Sequence, residues 1–145
     1  MKAWITVLAL CATSLAPSAA RAQAPVDSLA LARQYTLWLY TAEADSLLAH
    51  STDETRNEEG ARDRFLQLSK LIADRAGFEL EVSEETWKLR NGDCQYWRTA
   101  QFSAVDEPLL IRWVLDPQGR IAGFGAGPYA QAPPVESETC TPPAG

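Results

Sequence analysis

Apolar positions follow two different periods along the chain. In the first half they recur every three or four residues, which is typical of helices with one buried face. In the second half they alternate with polar residues, as in half-buried strands. Three helices are predicted, at about 29–40, 41–48 and 58–76. Four strands are predicted, at about 84–90, 94–104, 109–115 and 120–125. The polar segment 51–57 predicts a loop, and 78–82 is either a short extra strand or the entry to the first one.

Turn signals separate the predicted strands. Asn91-Gly92 is typical of a two-residue hairpin, because both central positions of that turn need a positive φ. Asp116-Pro117-Gln118-Gly119 predicts a second turn, in which proline fixes an early φ and glycine supplies a left-handed one. Asp106-Glu107-Pro108 is a looser break. Gly77 is predicted to end the third helix as a left-handed cap.

Helices followed by an antiparallel meander indicate the α+β class, with helices on one face of the sheet. Alternation places Tyr96 and Arg98 on one face of their strand and Trp97 on the other. In the next strand Trp113 lies on one face and Arg112 on the other. The pattern leaves open which of the two faces is concave.

The N-terminus has the features of an export signal over residues 1–22. Lys2 is followed by an apolar run over 3–16, and Ala20-Arg21-Ala22 is a small-x-small cleavage pattern before Gln23. The alternative is a membrane anchor, but the run is shorter than the roughly 20 residues of a spanning helix. We therefore expect an exported protein, periplasmic or secreted, with no membrane association after cleavage.

The mature chain is long enough for one domain and no more. Cleavage leaves 123 of the 145 residues, which we divide into a domain over 23–130 and a proline-rich tail over 131–145. Loss of Lys2 and Arg21 leaves 11 basic and 19 acidic residues, a net charge of −8. An acidic surface argues against nucleic acid and anionic membranes as partners.

Two cysteines remain after cleavage, Cys94 and Cys140. In an oxidising compartment such a pair predicts a disulfide, which would pin the tail to the start of the second strand. The alternative is a metal site. It lacks ligands, since the chain has one histidine and no C-x-x-C motif, and we predict neither a metal nor a cofactor.

Two mid-strand arginines and several aromatic side chains are candidates for a ligand pocket. The full candidate set is Trp38, Tyr40, Tyr96, Trp97, Arg98, Arg112 and Trp113. The guanidinium groups suit an anionic ligand; alternatively, they pair with the glutamates at Glu79, Glu81, Glu84 or Glu85. The aromatic residues either line a cavity or fill the core.

Catalytic motifs are scarce. The chain has no G-x-S-x-G, H-E-x-x-H or EF-hand pattern, and the glycines of 123–128 follow a strand with no helix after them. His50 is either a general base near neutral pH or a solvated residue at a helix end.

A family resemblance covers about 28–128. The helix–break–helix segment 39–48 resembles the start of many domains of the nuclear transport factor 2-like superfamily, which includes ketosteroid isomerase and scytalone dehydratase. Its break has Glu43-Ala44-Asp45 where Gly-Asp is common. With Gly77 and the ending 115–124, the order of elements resembles exported bacterial domains of unknown function, some of which precede α/β-hydrolase domains. The resemblance implies a cone-like, curved sheet of four to five strands around a cavity, and often a homodimer.

These observations favour a non-catalytic exported domain that binds a small molecule or a protein partner in or beside an aromatic-lined cavity. One alternative is an acid–base enzyme of the ketosteroid isomerase or dehydratase kind. It would need Asp45 or His50 in a pocket opposite Tyr40 or Tyr96. Another alternative is a purely structural dimerisation domain.

Overall fold

The computed structural model describes residues 26–143, and these form an α+β fold. The predicted export signal and its cleavage site lie outside the described residues. The helices are α1 (Ser28–Tyr40), α2 (Ala44–Ala49), α3 (Asp53–Asn57) and α4 (Ala61–Arg75). The strands are β1 (Glu79–Arg90), β2 (Asp93–Phe102), β3 (Leu109–Leu115) and β4 (Ile121–Pro128), joined in one antiparallel sheet in the order β1-β2-β3-β4.

The helical half differs from the prediction in two places. The predicted loop over 51–57 contains α3, because the Thr52 side chain accepts a hydrogen bond from the amide of Thr55 and acidic residues occupy the first turn. The predicted third helix begins at Ala61 rather than Glu58, because Gly60 has a left-handed φ of 71°. The described residues therefore have four helices in place of the predicted three.

The meander follows the prediction closely. Asn91 and Gly92 have φ values of 53° and 78°, and Gly77 and Gly119 are also left-handed. These values confirm both tight turns and the glycine cap after α4. The segment 78–82 is not a separate strand: from Glu79 onward it belongs to β1, so the sheet has four strands.

The core lies between the helices and one face of the sheet, which we call the helix face. Trp113 packs edge-on against Tyr35 of α1, with ring centroids 5.9 Å apart, and its indole N–H donates to Thr36 at 2.9 Å. Phe65 of α4 stacks on Phe124 of β4 at 4.4 Å. Burial of these aromatic rings supplies much of the apolar surface removed from water.

The C-terminal tail follows the outer edge of β1. The predicted disulfide is confirmed, with Cys94 and Cys140 joined by an S–S bond of 2.03 Å. Ser137 pairs with Leu89 across the strand edge, and the amide of Cys140 donates to the carbonyl of Trp87 at 3.2 Å. The tail thus leaves the sheet at β4 and returns at the opposite edge strand, whose backbone groups it satisfies.

The disulfide is typical of proteins in oxidising compartments. Within residues 26–143, no helix is both long and apolar enough to span a bilayer.

Candidate functional site

The two candidate arginines lie on opposite faces of the sheet. Arg98 is opposite Ile111 in the register of β2 and β3, whereas Trp97 is opposite Arg112. Arg98 therefore lies on the helix face, and Arg112 lies on the other side, which we call the open face. The two guanidinium groups do not line one pocket.

Arg98 is at the centre of a network of ionic hydrogen bonds on the helix face. Its Nε and Nη2 donate to both carboxylate oxygens of Glu79 at 3.0 and 2.6 Å, and its Nη1 donates to Glu85 at 2.9 Å. Tyr40 donates its hydroxyl to Glu79 at 2.8 Å, and Tyr96 donates to Glu85. The two carboxylates neutralise this arginine in a half-buried position.

A second arginine ties this network to α1. Arg33 donates to Glu85 through Nε and Nη2, the latter at 2.5 Å. The hydrogen bond from Arg33, then that from Tyr96 and the positive charges of Arg33 and Arg98, outweigh burial and lower the pKa of Glu85 to about 2. Burial alone would raise the pKa of Glu79, but hydrogen bonds from Arg98 and Tyr40 lower it below its ordinary value.

The network is ionised at neutral pH and has no group poised to exchange a proton there. Burial raises the pKa of Tyr40 and of Tyr96, and their glutamate partners raise it further. A cavity of about 470 Å³ opens beside it, lined also by Leu37 and Val82. The carboxylates at its wall are already engaged, so the arrangement joins α1 to the sheet rather than offering a free base.

The residues expected for an acid–base enzyme are apart from these tyrosines. Asp45 is exposed and pairs with Arg62 at 2.8 Å. His50 is also exposed; its Nδ1 lies 2.9 Å from the carbonyl of Ser46, and its ring centroid lies 4.8 Å from that of Trp38. Neither Asp45 nor His50 bonds to Tyr40 or Tyr96.

Most of the candidate aromatic residues fill the space between α1 and the sheet. Trp113 and Tyr96 are fully buried. Tyr40 packs edge-on against Phe102 at 5.7 Å, and Trp38 packs against Tyr35 at the same distance. Their positions match the core-filling alternative more closely than the lining of a cavity.

On the open face, Trp97 packs against two cationic side chains. It is only 2% exposed, and two cations lie over its ring: Lys88 at 5.3 Å and Arg112 at 5.6 Å from the centroid. Lys88 also pairs with Glu84 at 3.2 Å and with Glu138 of the tail at 2.8 Å. Among residues 26–143, Trp97 thus contacts one cation that has acidic partners, Lys88, and one that has none, Arg112.

Arg112 shares a cavity of about 500 Å³ with Arg90. Burial and the nearby charge of Arg90 lower the pKa of Arg112 below its ordinary value. Its Nη1 donates to the neutral side chain of Gln95 at 3.3 Å, and Gln95 in turn donates to the carbonyl of Arg90 at 3.3 Å. Within residues 26–143, neither arginine has a carboxylate at ion-pairing distance.

Glycine in β4 makes room for this guanidinium group. Gly125 is opposite Arg112, and a Cβ built there would lie 2.7 Å from Nη2 of the arginine. A Cβ at Gly127, two residues further, would meet nothing within 4 Å. The predicted strand exit at 123–128 is therefore strand β4 itself, and one of its glycines leaves space at the cavity.

Two acidic residues also line the cavity, Asp93 and Asp116. Asp116 accepts hydrogen bonds from the side chain of Arg120 and the amide of Gln118, at 2.8 and 3.0 Å. Asp93 is exposed at the hairpin. The cavity lining therefore carries two basic and two acidic side chains, and neither carboxylate is at ion-pairing distance from Arg90 or Arg112.

Arg90 is the site residue that sequence reasoning missed. The sequence did contain a signal for Arg90. Lys88 and Arg90 are two residues apart and therefore share one face of β1, and the Asn91-Gly92 hairpin places Arg90 opposite Asp93. The register alone does not bring it to Arg112, which is opposite Trp97, four residues beyond Asp93 along β2; the two arginines share the cavity through the length of their side chains. Among the described residues, no cluster of three acidic, histidine or cysteine side chains is arranged to hold a metal ion. Comparison with protein-family models, curated proteins and solved structures gave no match.

Proposed function

We propose that this protein is an exported, non-catalytic domain that binds a small anionic molecule in the cavity between Arg90 and Arg112. The single observation behind the proposal is that two guanidinium groups share one cavity without an acidic partner among residues 26–143. Two like charges placed together in a partly buried site repel each other, and a bound anion would remove that repulsion.

The charge balance of the chain makes this pair unusual. Acidic residues outnumber basic ones, 19 to 13, so carboxylates are available to pair with exposed arginines. Arg33, Arg62 and Arg64 are paired in this way. Two arginines that share a cavity with Asp93 and Asp116, and yet form no ion pair among residues 26–143, fit a site kept for a ligand.

The geometry favours a ligand with two negative charges or a divalent headgroup, such as a phosphate ester or a dicarboxylate. Guanidinium groups present planar forks that match the oxygens of carboxylate and phosphate. Each hydrogen bond to a charged group contributes about 1.5–3 kcal/mol. A cavity of about 500 Å³ has room for a small organic acid around those oxygens.

Titration calorimetry of the mature protein at low ionic strength would test the proposal, with phosphate, sulfate and citrate as the probes. We expect at least one anion to bind, and Arg112→Gln and Arg90→Gln each to weaken binding by about tenfold or more. Arg75→Gln is the matched control, because Arg75 is also an arginine without an ion pair among residues 26–143 and lies outside this cavity.

Dissociation constants weaker than about 10 mM for all three anions would overturn the proposal. Equal losses in the Arg75 control would also overturn it, since they would show only a net-charge effect. Native mass spectrometry beside a denatured spectrum adds an independent measurement. Extra mass that disappears on denaturation would identify the ligand class, and the denatured mass would report cleavage before Gln23.

We also infer a fold superfamily, export and an oligomeric state for this chain. The cone-like, curved sheet and membership of the nuclear transport factor 2-like superfamily stay proposals. They are supported by the break between α1 and α2, with Ala42 at a positive φ of 58°, and by the order of helices before the meander. Export is supported by the disulfide, and a homodimer is a further expectation that the native mass would test.

A further inference from the structure

Among residues 26–143, the outer edge of β4 lacks a backbone partner over most of its length. The amide of Tyr129 donates to Pro108 of the β3 side at 2.8 Å, and pairs of an antiparallel ladder alternate, so the backbone groups of Phe124 and Ala126 point away from β3. Within residues 26–143 no backbone or side-chain group bonds to them. Only the start of the strand is covered, where Ile121 pairs with Ser51.

The other edge of the sheet is protected in two ways. The tail pairs with β1 at Trp87 and Leu89. Further along, β1 has glutamates at 79, 81, 84 and 85, and charged side chains discourage an edge from pairing with another chain. The free part of β4 has no charged residue, so within the described part of the chain this is the sheet edge that combines free backbone groups with a neutral surface.

An apolar groove of about 290 Å³ lies beside the free edge, between α4 and the ends of β3 and β4. Its walls are mostly aliphatic, and Leu71 of α4 is 50% exposed there. Arg75 is the one charged side chain in its lining, and it has no ion pair among the described residues. The groove thus offers apolar contacts with a positive charge at one side.

The free edge of β4 and the apolar groove beside it indicate what kind of molecule would bind there. A second copy pairing β4 with β4 would add backbone bonds, but on the helix face it would present only Phe124, which packs on its own Phe65, and Ala126, whose methyl group is too small to fill the groove. We propose that β4 and the groove bind an extended, apolar segment of a partner protein by strand addition, with a carboxylate of the segment facing Arg75. Alternate side chains of such a strand point to the same face and would enter the groove.

This proposal concerns a different surface from the anion cavity and stands without it. The test is a phage-displayed library of random seven-residue peptides selected on the mature protein. We expect enriched peptides with alternating apolar residues. Their affinity should fall by about tenfold or more in Ala126→Pro, which removes one outward N–H, and in Leu71→Lys, which places a charge in the groove. Amide hydrogen exchange at Phe124 and Ala126 should slow when peptide is bound.

The matched control is Leu37→Lys, an equally exposed leucine on α1 at 54%, which should leave peptide binding unchanged. Arg112→Gln should also leave it unchanged. No enrichment above background, or equal binding to all variants, would overturn the proposal. Slower exchange at Phe124 and Ala126 with rising protein concentration alone would instead identify a second copy as the occupant and overturn it as well.

Discussion

Each face of the sheet carries one arginine, and the two differ in their hydrogen-bond partners and in the direction in which their pKa is shifted. On the helix face, Arg98 engages two carboxylates and a tyrosine hydroxyl, and its pKa is raised chiefly by the hydrogen bonds to Glu79. On the open face, one strand away, Arg112 bonds to a single neutral amide, and its pKa is lowered by burial and by Arg90. Each arginine is only partly buried, so burial does not explain the difference.

The contrast between Arg98 and Arg112 separates a structural charge from one available to a ligand. A guanidinium that is bonded on all sides fixes its neighbours: Arg98, with Arg33, connects α1 to β1 and β2. A guanidinium with unused donors beside a cavity leaves its hydrogen bonds to be made by something else. The residue type and the mid-strand position are the same in both cases, so only the partners distinguish them.

The largest expected effect comes from making the same substitution on each face. Arg98→Met leaves two partly buried carboxylates without their shared cation, and should destabilise the protein by about 3–5 kcal/mol. Arg112→Met removes a cation that repels Arg90 and keeps an aliphatic stem over Trp97, so its cost should stay below about 1 kcal/mol. Urea unfolding of both variants at pH 7 measures the difference. Equal losses of stability would contradict the division of the two faces.

The arrangement of the sheet could be predicted from the sequence, because each signal for it comes from residues that are close together in the chain. A positive φ at Asn91, Gly92 and Gly119 follows from the residues themselves, and the two-residue period fixes which side chains share a face. The helical segment 51–57 was not accessible, since a five-residue helix has too few positions to show a period. Its capping threonine was the only signal available.

The candidate site could not be predicted in full, because it depends on which side chains of different strands pair with each other. Arg98 and Arg112 were both candidates, but choosing between ion pair and ligand site required the partners of each: glutamates of β1 for Arg98 and Gln95 of β2 for Arg112. Glu79 and Glu85 point to Arg98 because β1 pairs with β2 along its whole length. The predicted first strand, 84–90, included Arg90, but the candidate set was drawn from mid-strand arginines and therefore left it out.

A medium effect is expected from acid titration, which sharpens the contrast on the helix face. Glu85 has a pKa of about 2 when folded against an ordinary 4.5, so its stabilisation is fully present above about pH 4.5 and is lost as the pH falls toward 2. The shift corresponds to at most about 3 kcal/mol. Urea unfolding between pH 6 and 2.5 should show this loss in the unsubstituted protein and a flatter slope in Glu85→Gln.

Arg112→Met serves as the control for this titration. Since no carboxylate is paired with Arg112 among residues 26–143, its acid slope should match that of the unsubstituted protein. Identical slopes in Glu85→Gln and the unsubstituted protein would show that Glu85 does not contribute to acid sensitivity.

The smallest effect on stability, yet the most specific for the open face, is expected from a single methyl group. Gly125→Ala would place a Cβ 2.7 Å from Nη2 of Arg112, so the guanidinium must move, which a long side chain does at little cost in folding free energy. The anion affinity depends on that position and should fall several-fold, about 1 kcal/mol.

Gly127→Ala is the control on the same strand and face, because a Cβ there meets nothing within 4 Å. Calorimetry with the tightest of the three anions measures both variants. A loss in Gly125→Ala with none in Gly127→Ala would assign binding to the placed guanidinium, whereas equal affinities would show that the position of Arg112 does not determine binding.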